Sequence, residues 1–124
     1  MPASDRDAVL AALHAQLPVI WRLLPGGLTL TVTDTSVTIR GNDSGLLVEK
    51  AIVTGLGPRH FLISLLDEIQ VVAADLLSEY WPRIGTCHLD YDVQEVDGQF
   101  TLVFWPASLE AQVGLWRRIG SEKQ

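Results

Sequence analysis

From Pro58 to Trp81 the chain runs for about 23 residues, and after Pro58 it contains neither glycine nor proline. As a helix this stretch is roughly 35 Å long at about 1.5 Å per residue. Gly57-Pro58 marks its start, because proline in a first turn has no N–H to leave unpaired. Pro82 marks its end, because the residue before a proline is pushed out of the helical region. At helical spacing Ser64, Asp67, Glu68, Val71, Asp75, Ser78 and Glu79 form one polar stripe. Leu62, Leu65, Leu66, Ile69, Val72, Ala73, Leu76, Leu77 and Tyr80 fill the remainder, roughly two thirds of the circumference. One sheet covers one side of a helix. The rest of the arc, at Ile63, Val72 or Trp81, is therefore expected to meet the terminal helices or a second subunit.

The segments on either side set the fold class. Ser4 caps a first helix with acidic residues in its first turn, and Val9, Leu10, Leu13, Leu17, Ile20, Trp21 and Leu24 follow at helical spacing. Pro18 removes one N–H and crowds the carbonyl of His14, so a kink or restart is expected there. Leu28 to Thr33 alternates leucine and valine with threonine, and Val37 to Arg40 continues the alternation beyond Asp34-Thr35-Ser36. Leu46 to Thr54 reads as a third strand after the Gly41–Gly45 turn.

Beyond the long helix, Asp97-Gly98 between two alternating runs is the preferred pair for a two-residue type I′ hairpin. This sets Val96 opposite Gln99, Val93 opposite Leu102 and Tyr91 opposite Phe104. Leu89, Tyr91, Val93, Phe100, Leu102 and Phe104 then share the core face. His88, Asp90, Asp92 and Gln94 share the other with Thr101, Val103 and Trp105. A last helix is expected from Ser108, with Leu109, Val113, Trp116 and Ile119 inward and Gly120 after its cap. The order is α-βββ-α-ββ-α: an α+β fold, with helices packed on one face of an antiparallel sheet around the long second helix. A chain of 124 residues reads as a single domain, ordered from about residue 4 to 120 with a frayed tail.

Charge and composition narrow the function classes. The 15 acidic and 9 basic residues give a net charge of −6, a field that repels phosphate backbones and disfavours nucleic acid. No apolar run reaches the ~18 residues of a membrane span, and the N-terminus has no signal-peptide pattern. One cysteine, Cys87, forms no internal disulfide and suits a reducing compartment, so a cytoplasmic protein is expected. The apolar content of 48% is high for such a chain and leaves room for surface hidden against a partner.

No motif names a reaction or a cofactor. His88, Asp90 and Asp92 point the same way on a strand and are the best candidates for a metal, but no fourth ligand is evident. Gly55-Leu56-Gly57-Pro58-Arg59-His60 resembles a phosphate loop in outline, yet His60 stands where the third glycine belongs and no Lys-Ser/Thr follows. Cys87 and His88 are adjacent on a strand and face opposite ways, so they form no thiolate–imidazole pair. Asp67, Glu68, Asp75 and Glu79 read as a solvated stripe. Trp105 points away from the core and is the first interface candidate, with Val103 and Thr101 beside it. Val71, central in the acidic stripe, and Arg40, on the threonine face of the first hairpin, are further candidates.

The element order, the small acidic chain and the long second helix resemble the class I chaperones of type III secretion systems, and bacterial proteins that share their fold without serving secretion. The resemblance spans roughly residues 4–120 and rests on order, size and charge, with no shared motif. No functional residue is therefore carried over, and the Pro18 break is a departure. It implies a homodimer that binds an extended segment of another protein without catalysis.

The leading expectation is a non-enzymatic, homodimeric protein-binding domain acting as a chaperone, adaptor or immunity-type inhibitor on a basic or extended protein partner. The alternative is a small enzyme or ligand-binding domain that uses His88, Asp90 and Asp92, or the Arg59-His60 helix start. An inhibitor that mimics acidic nucleic acid is a third reading, supported by charge alone.

Overall fold

A computed structural model describes residues 5–52 and 55–107 of the chain. The expected helix after Ser108, the Ser4 cap and the end of the third strand at Thr54 lie outside the described residues. The elements are α1 (Asp5–Leu23), β1 (Leu28–Val32), β2 (Ser36–Gly41), β3 (Leu47–Ala51), α2 (Gly57–Leu77), β4 (Arg83–Ile84), β5 (Cys87–Val96) and β6 (Gln99–Pro106). The strands form two antiparallel three-stranded sheets, ordered β1-β2-β3 and β4-β5-β6. The α+β class is as expected, but the strands divide into two sheets and one strand, β4, is added.

α2 holds the two halves together. Phe61, Leu62, Leu65, Leu66, Ile69, Val72 and Ala73 are buried along it. They join one continuous core with Val9, Leu13, Leu17 and Ile20 of α1, Leu28, Leu30, Val37 and Ile39 of the first sheet, and Val93 and Leu102 of the second. Each large side chain buried in this way contributes about 1.5–3 kcal/mol. The wide apolar arc is thus covered from three sides within the chain. Val72 and Trp81 are buried at 4% and 1% exposure, so neither requires a second subunit.

The helix ends four residues before the position that Pro82 alone suggests. Ser78 takes a left-handed backbone conformation (φ 54°), and the Glu79 N–H donates to the Ala73 carbonyl at 3.2 Å. This closes the last turn at Leu77. The chain then turns so that Trp81 enters the core, where its indole N–H donates to the Leu23 carbonyl at the end of α1 (2.8 Å). Gln70 Nε2 donates to the Trp81 carbonyl (3.1 Å). β4 follows where a plain connection was expected, because Arg83 and Ile84 lie antiparallel to His88 and Cys87.

α1 is continuous through Pro18, without the expected restart. Pro18 is exposed, while Leu17 and Ile20 beside it are buried. Core packing on both sides of the proline offsets the missing hydrogen bond. At Gly41 a Cβ atom would come within 2.3 Å of Leu76 and 2.6 Å of Ser44, so glycine permits the close approach of β2 to the end of α2. Asp97 and Gly98 both have positive φ (53° and 80°), as a type I′ turn demands, and the register Val96↔Gln99, Val93↔Leu102, Tyr91↔Phe104 follows.

Gln16 on α1 treats β6 as a neighbouring strand would. Its Nε2 donates to the Phe100 carbonyl at 2.8 Å, and its Oε1 accepts from the Leu102 N–H at 3.1 Å. Gln16→Ala is expected to cost about 1–3 kcal/mol in urea denaturation, because two partly buried peptide groups lose their partner. Gln16→Glu keeps the acceptor but sets a carboxylate against the Phe100 carbonyl, which favours the protonated acid in the fold. Its deficit relative to wild type should therefore shrink as pH falls through the carboxyl range, and a constant deficit from pH 7 to 4 would contradict this pairing.

Candidate functional site

The outward face of the β5–β6 hairpin carries the largest group of residues singled out by sequence. The ladder places Asp90 opposite Trp105, Asp92 opposite Val103 and Gln94 opposite Thr101. Alternation turns these six away from the core, since Leu89, Val93 and Leu102 on the other face are buried. Trp105 is 42% exposed, Thr101 is exposed and Val103 is half-buried. His88 extends the face toward β4, where it lies opposite Arg83.

His88 and Asp92 on this face are engaged with neighbouring residues. His88 stacks on Tyr80, with ring centroids 4.1 Å apart and planes 15° from parallel. Asp92 Oδ1 accepts from Arg59 Nη2 at 2.6 Å and from the Val93 N–H at 2.7 Å, while Arg59 Nε donates to the Val93 carbonyl at 2.9 Å. The structure thus joins the two sites that the sequence offers separately, the Arg59 helix start and the β5 carboxylates, into one structural clasp. With 53% and 41% of the two side chains exposed, the ion pair itself contributes no more than about 1 kcal/mol. Sequence spacing gives no sign of it, because the partners are 33 residues apart. His60, next to Arg59, is exposed. Among the described residues no group of three histidine, cysteine, aspartate or glutamate side chains is placed to hold a metal ion.

The acidic stripe of α2 is not wholly solvated. Tyr91 donates its phenolic proton to Asp67 Oδ1 in a short hydrogen bond. Burial, and after it this hydrogen bond, push the Tyr91 phenol well above its ordinary value of 10.0. Val71, 53% exposed, lies on α2, whereas Trp105 is on the opposite side of the β5–β6 hairpin from the core. Arg40 belongs to the outer face of the first sheet, opposite Thr29 and Leu47 and beside a shallow hollow lined by Thr31, Thr38 and Asn42. The interface candidates therefore occupy three separate surfaces, and only Trp105, Val103 and Thr101 share one. Cys87 is buried and His88 exposed, as their adjacency on a strand requires. A cleft between Ala8, Ala11 and Ala15 of α1 and Phe100 of β6 is lined without any titratable side chain. No helix among the described residues is long and apolar enough to cross a membrane.

No family model, curated protein or solved structure matches the chain.

Because the folded state holds the Tyr91 proton more tightly than the unfolded chain, this group contributes stability that is complete below pH 10 and is lost as pH rises above it. Tyr91→Phe should lower stability at pH 7 by about 0.5–1.5 kcal/mol through the missing hydrogen bond. It should also flatten the decline above pH 10, which thermal melts between pH 8 and 11.5 would measure.

Proposed function

We propose that this chain is a non-enzymatic protein-binding domain and that the outward face of the β5–β6 hairpin is its contact surface. The observation that carries the reading is the exposed indole of Trp105, with Val103 and Thr101 next along the same strand and Asp90 directly across from it. Tryptophan supplies large contact area at low conformational cost and is over-represented where binding energy concentrates. The acidic chain and Asp90 suit a basic partner whose apolar pocket receives the indole. Binding rather than catalysis is further supported by the use of Asp92 and Asp67 in structural pairs with Arg59 and Tyr91. The element order from α1 through α2 supports keeping the chaperone-like resemblance, and the homodimer it implies, within this proposal.

Trp105→Ala removes an exposed side chain and should change stability by no more than about 0.5 kcal/mol. Affinity capture with wild-type and Trp105→Ala protein, each checked by near-ultraviolet circular dichroism, tests the surface. The expected result is a protein retained by wild type and weakened at least about tenfold by the variant, a loss of about 1.4 kcal/mol. Equal retention would move the contact elsewhere. A monomer by light scattering with nothing retained would overturn the reading.

A further inference from the structure

Hydrogen-bond alternation identifies which backbone groups each outer strand turns away from its sheet. On β1 the Leu30 carbonyl points outward and accepts the Trp21 indole N–H at 3.1 Å. On β6 the outward Phe100 carbonyl and the outward Leu102 N–H are taken by Gln16. On β5, the central strand that β4 pairs only at Cys87 and His88, the Leu89 N–H donates to the Pro82 carbonyl at 3.0 Å, and Val93 is clasped by Arg59 and Asp92. β3 differs. The Gly41 N–H donates to the Leu46 carbonyl and the Ile52 N–H to the Thr35 carbonyl, each at 2.9 Å. The register between them directs Val48 and Lys50 toward β2, so Leu47, Glu49 and Ala51 present their N–H and C=O groups outward. No described residue pairs with those groups, and all three residues are exposed.

Natural sheet edges are kept from indiscriminate pairing by short strands, prolines, bulges and charges, inward-pointing ones included. Here Lys50 is turned to the inner face, with its ammonium 5.8 Å from the centroid of the Phe61 ring. The outer face of the strand therefore offers Leu47, Glu49 and Ala51, with Leu47 54% exposed.

We propose that the outer edge of β3 is a strand-addition site for an extended segment of another protein. The segment places a basic residue opposite Glu49 and apolar residues two places to either side. A row of unpaired peptide groups is satisfied by another strand, which gives affinity through the main chain and selectivity through alternate side chains. A second copy of the chain fits less well. Antiparallel self-pairing centred on Glu49 opposes two carboxylates, and centring on Val48 sets Glu49 against Leu47. A basic segment supplies the missing counter-charge and is drawn by the net charge of −6. This site is distinct from the Trp105 face and stands without it.

The probe is a fluorescein-labelled peptide with the core Val-Thr-Lys-Thr-Val, compared by fluorescence anisotropy with the same peptide carrying glutamate for lysine. The expected result is binding at least about tenfold tighter for the lysine peptide, with amide exchange slowed at Leu47, Glu49 and Ala51. Glu49→Lys should reverse the preference. Leu47→Pro removes an outward N–H while sparing the β2–β3 ladder, and should abolish binding with little change in Tm. Trp105→Ala should leave peptide binding unchanged, which separates this site from the proposed contact face. Absence of binding at millimolar peptide, equal affinity for the two peptides, or survival of binding in Leu47→Pro would overturn the proposal. If Leu47→Pro fails to fold, the reversal by Glu49→Lys still decides. A concentration-dependent dimer that Leu47→Pro dissolves would assign the edge to a second copy and overturn it equally.

Discussion

Peptide groups at the rim of a small sheet must be paired or left to water, and in this chain most of that pairing is done by side chains. An unpaired buried peptide N–H or C=O costs as much as a lost hydrogen bond, or more. Two three-stranded sheets create four outer strands, yet the described part of the chain closes neither sheet into a barrel. Trp21, Gln16 and Arg59 each reach from a helix to a strand edge and supply the donor or acceptor that a neighbouring strand would. Trp81 does the same for the end of α1, where helices leave carbonyls without partners. These contacts fix how α1 and α2 lie against the sheets, because each amide, indole or guanidinium must meet one particular backbone group.

That geometry is what allows α2 to be covered on three sides. A lone three-stranded sheet needs something packed on its apolar face to persist. Both sheets obtain it from the same helices, with Leu30, Val37 and Ile39 in one and Val93 and Leu102 in the other joining a single cluster with Leu62, Leu65, Leu66 and Ile69. The breadth of the apolar arc is thus a property of a shared core. It gives no evidence for a subunit contact, so any dimer has to be sought at surfaces that remain exposed.

The sequence displays the parts of this fold that are governed by short-range rules. The Asp97-Gly98 turn allows one register, and the whole β5–β6 ladder follows from it. The buried positions of α2 from Leu62 to Ala73 follow from helical spacing, with Phe61 added at its start. Leu76 and Leu77 of the expected arc are half-buried, and Tyr80 is exposed beyond the helix end. Features that depend on contacts distant in sequence are not displayed. Nothing local separates Ser78, which leaves the helix in a left-handed conformation, from a further helical residue, and β4 exists only because β5 returns beside Arg83 and Ile84. Pro18 reads as a break because the local rule counts a lost hydrogen bond but not the burial of Leu17 and Ile20 on either side of it. At the candidate site the same division holds. The exposure of Trp105 follows from alternation, while the engagement of Asp92 with Arg59 and of Asp67 with Tyr91 arises from packing between α2 and β5.

The engagement of those carboxylates and the openness of β3 have a common origin in which side chains alternation sends to which face. On β5 it puts Asp92 within reach of a helical arginine, so a residue that looks available for chemistry becomes part of an edge clasp. On β3 it sends Glu49 outward and Lys50 inward over Phe61, so the charge that the outer face of the edge presents is a carboxylate. A shift of one residue would exchange the two and leave a lysine on the outer face, as is common at protected edges. The register that prevents this is held by Ile39 opposite Val48 and Val37 opposite Lys50, with Val37 and Ile39 fully buried. Core packing therefore determines the character of this exposed edge, and an account of its role has to begin from the buried face of β2.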